Sequence, residues 1–441
     1  MPTLDSLPKL GVSQGRGRGI GHVLAACGLY FILGAVNFGA AAQSQVPAEG
    51  IADSSTRARM AAEQLIRTQL PTGLFPYDLD FVTGAAEDMK DPSGPNIVRQ
   101  AGALFALAQY LEVSDSPPLR ETIARALQGF AQRSLPIGKG AAQSVLENLR
   151  VYNRWQIWNP LRAPLDRLGL LYDTKGEGRV VSANGSYERA WPGATALALV
   201  SELRYRAATT DDSFAKARHG WLKALLALRV PGRGFREAPH YLTESGYVNG
   251  EAWLSLAEYA RSFPADQEIV ATLSEIEDYL MARYGASPTL QFYHWGVMAA
   301  SVRARATRDP RFLDFVRSQT EWVLASQGSL LEGSDNTCAW IEGLATAVDM
   351  LWRDHGKEDP LQDRARDWIK VIMAHNLALQ ILPGQDSVSF GNGAIVRSPW
   401  LAVHAGAFLT SSKEAKMQVD VTGHCLSALI RMQNAGLADQ K

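Results

Sequence analysis

The chain has 441 residues, 46% of them hydrophobic and 20% charged, with 44 Lys and Arg against 45 Asp and Glu. That apolar content offsets chain entropy and excludes a disordered or collagen-like chain. The net charge of −1 excludes a broad electrostatic grip on nucleic acid or acidic membrane, and three cysteines, Cys27, Cys338 and Cys425, exclude a disulfide-dense scaffold or a four-cysteine zinc site.

At the N-terminus, Arg16 and Arg18 precede an apolar run over residues 20–42 that ends in Ala40-Ala41-Ala42. A basic stretch, an apolar core and small residues at a cut site predict a signal peptide over 1–42 and an exported chain, periplasmic or secreted. The run is long enough to span a bilayer, but its small-residue ending favours cleavage, which leaves no stable membrane span. Leu24-Ala25-Ala26-Cys27 resembles a lipoprotein site, yet the apolar stretch follows the cysteine, which is the wrong order.

Residues 43–441 read as one domain in which two kinds of helix alternate. An amphipathic helix over 54–70 comes first, then a nearly all-apolar run opened by Arg99-Gln100-Ala101-Gly102. An amphipathic helix over 117–132 and an irregular excursion over 141–188, ending in a hairpin around Thr174-Lys175-Gly176-Glu177-Gly178, follow. Arg189-Ala190-Trp191-Pro192-Gly193 opens the next buried run, and 212–228 is again amphipathic. Val248-Asn249-Gly250, Tyr293-His294-Trp295-Gly296 and Trp340-Ile341-Glu342-Gly343 open three more, their glycines about 46 residues apart. Between and after them lie amphipathic helices over 266–283, 310–324 and 360–374, the last two begun by Asp309-Pro310 and Asp359-Pro360, a capping carboxylate before a first-turn proline. A second insertion of short strands and turns over 381–408 precedes the final buried run at Val421-Thr422-Gly423.

Helices with no polar face are buried on all sides. Six of them alternating with six amphipathic partners predict an all-α fold, an (α/α)6 toroid with an inner and an outer ring. An open helical solenoid is the competing arrangement; its units would be more uniform and capped at both ends.

No phosphate-binding loop, dinucleotide fingerprint, HExxH or GxSxG is present. No organic cofactor is expected, and the scattered histidines show no metal site built from ligands close in sequence. Polar residues instead collect at the starts of the buried runs: Arg99, Gln100, Glu188, Arg189, Trp191, Asn249, Glu251, Tyr293, His294, Trp295, Asn336, Trp340, Glu342, Asp420 and His424. The loop Phe75-Pro76-Tyr77-Asp78-Leu79-Asp80-Phe81 adds two carboxylates. In a toroid these starts converge on one face, giving a funnel of carboxylates, aromatic rings and imidazoles suited to sugars. Glycosidic cleavage needs a carboxyl of raised pKa and a second carboxylate. Glu251 and Glu342, beside tryptophans, fit the acid; Asp78 and Asp80 fit the carboxylate that directs water. Each is equally explained as a first-turn complement to a helix dipole. His294 and His424 fit either acid–base residues or satisfied core histidines, and Arg99 fits a partner for an acidic sugar or for Asp78 or Asp80. Cys338 and Cys425 sit near two successive buried starts and are either a disulfide or two buried thiols.

On these glycine- and alanine-rich starts the chain resembles the six-hairpin glycosidase superfamily over residues 54–436. The segment 74–108 and the Gly423-His424 start are also similar to the helical domain of uronyl C5-epimerases. The resemblance implies carbohydrate-active chemistry without fixing the reaction, since no single family's catalytic residues map onto the sequence. Three readings follow: an exported glycoside hydrolase acting on a polysaccharide or oligosaccharide; a uronate-directed lyase or C5-epimerase using Tyr293 or His294 as base and Arg99 against the carboxylate; and a non-catalytic polysaccharide-binding or assembly factor. The sequence leaves oligomeric state open.

Overall fold

The computed structural model describes residues 54–86, 96–140, 170–230, 232–241, 243–326, 335–355, 359–390 and 393–437. The expected signal peptide, Cys27 and residues 141–169 of the first insertion lie outside the described residues. The chain divides into two units, Met1–Gln45 and Val46–Lys441, and every described residue belongs to the second.

Outer and inner helices alternate along the chain as the sequence pattern requires. The outer set is α1 (Ser54–Thr68), α3 (Pro117–Gln132), α5 (Ala215–Leu228), α7 (Gln267–Ala286), α9 (Pro310–Ala325) and α11 (Pro360–Ala378). The inner set is α2 (Ile97–Tyr110), α4 (Pro192–Thr209), α6 (Gly246–Ser262), α8 (Leu290–Thr307), α10 (Cys338–His355) and α13 (Val419–Asn434). Each inner helix packs on the next, and α13 packs back on α2. That last contact closes the ring and excludes the open solenoid.

The glycines at the inner starts mark where neighbours approach most closely. A Cβ on Gly250 of α6 would stand 2.5 Å from Trp295 Cβ of α8, and one on Gly423 of α13 would stand 3.1 Å from Ala103 Cα of α2. A Cβ on Gly193 of α4 would strike the carboxyl of Glu251 on α6. A side chain at these positions would push the ring apart where it is narrowest. On the outer helices, Asp309 Oδ1 accepts from Arg311 N at 3.0 Å and Asp359 Oδ1 from Leu361 N at 3.0 Å, the caps anticipated from Asp-Pro.

Strands serve as clasps. β1 (Asp78–Asp80) pairs antiparallel with β6 (Lys416–Gln418), which runs into α13, so the entry to the first inner helix is tied to the entry to the last. β2 (Ser134–Lys139) pairs with β3 (Tyr172–Val181) and packs on α5. The segment around Gly176 is therefore strand, paired to residues before the excursion, and not the turn of a hairpin at its end. Glycine is required there because a Cβ on Gly176 would meet the Ile137–Gly138 backbone. The second insertion holds a hairpin of β4 (Ser387–Ser389) and β5 (Ile395–Arg397) and the short α12 (Trp400–Val403), over a small core of its own that includes Leu79, Ile381, Phe390 and Leu401.

Candidate active site

The N-terminal ends of the inner helices surround a cavity of about 540 Å³. Its wall takes Arg99 and Gly102 from α2, Trp191 and Gly193 at the start of α4, Tyr247 and Glu251 from α6, His294 and Trp295 from α8, and Asp420 and His424 from α13. Gly102 has open space where a Cβ would stand, so its lack of a side chain is part of the cavity.

Four groups give this cavity its chemistry. Glu251 is 3% exposed, and its Oε2 has no hydrogen-bond partner among the described residues. Burial pushes its pKa up to about 8, opposed only by the charge of His424. Glu342, at 1% exposure, accepts from His424 Nδ1 at 2.7 Å. Burial raises the Glu342 carboxyl, but His424's charge and hydrogen bond outweigh it and the pKa falls. The same pair holds His424 above its ordinary value against the opposing effect of burial. His294, 5.5 Å from His424 between ring centroids, is driven down to about 3, by burial first, with Glu342 opposing and His424 and Arg431 adding. Its Nε2 also lacks a hydrogen-bond partner. The cavity wall thus carries the Glu251 carboxyl and the imidazoles of His294 and His424, while Glu342, expected to be an acid on this face, is not part of the lining and is joined to it through His424.

Arg99 and Asp420 form a polar edge. Arg99 donates to the Tyr77 hydroxyl and, at 3.0 Å, to Gln418 Oε1, while its Nε lies 3.4 Å from Asp420 Oδ2. Trp295 stacks obliquely on Phe105 at 5.5 Å and on the His294 ring at 4.6 Å. Tyr247 is raised by burial and then by the charges of Glu251 and Asp420, with Arg99 opposing.

The remaining sequence candidates lie off the cavity. Asp78 pairs with Lys416 at 2.7 Å across the β1–β6 ladder, and Asp80 Oδ1 accepts from Val82 N at 2.7 Å in the turn that follows. These two, expected to direct water, are drawn aside because β1 supplies them with strand and turn partners. Gln100 clamps Phe75 through both its backbone groups at 2.8 Å. Asn249 accepts from Phe235 N at 2.7 Å and donates to Tyr284 Oη at 3.0 Å. Glu188 is exposed in a single 3₁₀ turn, Tyr187–Arg189. Tyr293 packs behind Gly343, and Trp340 lies 6.5 Å from it between ring centroids. The uronate-directed reading therefore keeps His294 and Arg99 on the cavity and loses Tyr293.

Arg189, one of the polar residues at the helix starts, lines the wall as the sequence pattern anticipates; Tyr77, Tyr247 and Glu237, which also line it, carry no such expectation. Tyr247 sits in the same leading segment as Asn249 and Glu251, so the rule that helix starts converge reaches it. Tyr77 and Glu237 come from loops and carry no such signal. Cys338 and Cys425 form a disulfide, with Cα atoms 4.8 Å apart, joining α10 and α13 beside Glu342 and His424.

No protein-family model matches the sequence, and no curated protein matches it. Solved structures match its fold. An inactive variant of an α-1,6-mannanase from Salegentibacter, in complex with α-1,6-mannotetrose, superposes at a TM-score of 0.54 over 87% of this chain and 99% of that one, at 12% identity. The fold is the six-hairpin toroid. An unsaturated glucuronyl hydrolase specific for heparin matches 89% of this chain and 100% of its own at 10% identity and a TM-score of 0.52. A D-mannose isomerase matches 88% and 98% at 9% identity and a TM-score of 0.53. Glycosidases and an isomerase share the scaffold, so the reaction has to be argued from the cavity.

Proposed function

We propose that this chain is an exported carbohydrate-active enzyme that hydrolyses a glycosidic bond in a polysaccharide or oligosaccharide. The observation that carries this reading is Glu251: a buried carboxyl that, among the described residues, is in no ion pair and has an oxygen without a hydrogen-bond partner, on the wall of a cavity that also holds the carboxylate of Asp420. Glu251 keeps its proton near neutrality and donates it to the leaving oxygen. Asp420, held by Arg99, is the second carboxylate, which takes the proton of the attacking water or itself attacks the anomeric carbon. A carboxyl that burial keeps protonated, on the same wall as a second carboxyl, is the pattern glycosidic cleavage requires. Trp191, Trp295, Tyr77 and Tyr247 supply flat faces for pyranose rings.

Export is supported by the character of residues 1–42 and by the Cys338–Cys425 disulfide, since such bonds persist in oxidising compartments. The neighbouring folds are named for action on mannan, glucuronyl and mannose substrates, which supports a sugar as ligand.

The test is reducing-sugar release from a panel of neutral and acidic glycans by the wild type, Glu251→Gln and Asp420→Asn. Release by the wild type that is lost in Glu251→Gln, with the circular dichroism spectrum kept, is the expected result. Absence of release from every glycan overturns hydrolysis; solvent deuterium incorporation without cleavage, or unsaturated uronide absorbance, moves the assignment to an epimerase or a lyase.

A further inference from the structure

His294, Glu342 and His424 are left idle by the hydrolytic reading, yet they come from three different inner helices to one cluster, of which His294 and His424 line the cavity. One donor atom from each lies within 4.8 Å of the others. Two imidazoles and one carboxylate around an open side match the ligand set of catalytic zinc sites, where the fourth position is left to water or substrate. From this juxtaposition we infer that His294, Glu342 and His424 bind a zinc-type divalent cation beside the cavity that His294 and His424 line.

Two independent features point the same way. His294 is 5% exposed and its Nε2 has no hydrogen-bond partner among the described residues, a costly state for a buried imidazole that a metal bond would relieve. His424 Nδ1 and Glu342 Oε2 are already 2.7 Å apart. Ligand atoms about 2.0–2.2 Å from one zinc ion and tetrahedrally disposed lie about 3.3 Å from each other, so the three need only small rotations to share an ion. The Cys338–Cys425 disulfide joins the helices that carry Glu342 and His424, which limits how far those two ligands can part. Nitrogen donors with a single carboxylate favour zinc and its first-row neighbours over calcium or magnesium, which take oxygen-only shells.

The local charges bear on affinity. Arg431, whose field reaches His294 and Glu342, opposes a cation, while Asp420, whose field reaches His424, assists it.

The test uses the whole chain, stripped with a chelator and dialysed. Zinc is added, the protein is passed through a desalting column, and zinc is counted per chain by mass spectrometry; cobalt(II) is added in parallel and its visible spectrum recorded. The expected result is one zinc per chain, an intense tetrahedral cobalt spectrum, and at least about tenfold weaker zinc binding in His294→Ala and in Glu342→Gln. Glu251→Gln, which changes the same cavity but no proposed ligand, keeps the zinc. No retained zinc and no cobalt spectrum in the wild type overturns the inference without any variant having to fold. Zinc retained equally by the wild type, His294→Ala and Glu342→Gln overturns it as well. Failure of glycan cleavage does not bear on these readouts, so the metal site and the hydrolytic reading fail separately.

Discussion

The two ends of the inner ring are built from the same six helices and differ in how they treat charge. The end formed by helix C-termini holds the larger cavity, about 680 Å³, lined by Arg204, Arg261, Arg305 and Arg431. Every carboxylate on its wall is held by an arginine: Glu112 and Glu258 by Arg204 at 2.6 and 2.5 Å, Asp349 by Arg305, and Asp115 by Arg120. The end formed by helix N-termini is smaller, but Glu251 Oε2, His294 Nε2 and Asp420 Oδ1 are left without partners in it. Arginines near helix C-termini complement the dipole and neutralise the acids around them. Buried acids and imidazoles left unsatisfied have no such structural reason. Size does not separate the two ends, and neither do unpartnered polar atoms as such, since Gln109 Oε1, Arg204 Nε and Arg431 Nε also lack partners among the described residues at the C-terminal end. What differs is that the N-terminal end leaves carboxyl and imidazole atoms unpartnered.

Breaking that contrast produces effects of graded size. The largest falls on Glu251→Gln, which removes the proposed acid: kcat is expected to drop by about 10²–10⁴, measured on the best glycan of the panel. Its pH dependence carries a sign. Glu251 titrates near 8 in the folded chain against an ordinary 4.5, so folding takes up a proton between those values and wild-type stability falls as pH rises through that window. Glu251→Gln lacks this loss, and its melting temperature relative to wild type is expected to climb from pH 5 to pH 8. Activity of the wild type is expected to fall above about pH 8 as the acid ionises.

At the opposite end, Glu258→Gln strips a carboxylate whose side chain is only 2% exposed and which bridges Arg204 and Arg261. Removing one member of a buried pair is expected to cost about 3–5 kcal/mol in chemical denaturation, with kcat per folded molecule unchanged. An unchanged stability would show that the rear charges are not buried as described. Reduction of Cys338–Cys425, which closes a separation of 87 residues, is expected to lower stability by about 2–4 kcal/mol. Because Cys425 adjoins His424, whose charge acts on Glu251, reduction is also expected to lower activity before the chain unfolds. The smallest effect is Asp359→Ala, which removes the α11 cap and costs about 1 kcal/mol at a position remote from either cavity.

The alternation of buried and amphipathic helices was legible because burial writes itself into composition, and the glycines at the inner starts were legible because close approach admits nothing larger. That the starts hold the cavity was legible too, and Arg99, Trp191, Glu251, His294, Trp295, Asp420 and His424 line it. The roles of Asp78 and Asp80 were not, since nothing in the sequence shows that β1 pairs with β6 and occupies them. Gln100 and Asn249 looked like sugar-binding amides and are backbone clamps, a distinction set by which loop passes beside each helix start.

The sequence by itself determined the helix inventory and which faces are buried, because helical periodicity and side-chain size act within a few residues. Only the tertiary structure decided that the ring closes and that Glu342 reaches His424, 82 positions away. It also decided which carboxyl is stranded without a cation. Those outcomes depend on distances between segments far apart along the chain, and a carboxyl's protonation follows from what surrounds it in space.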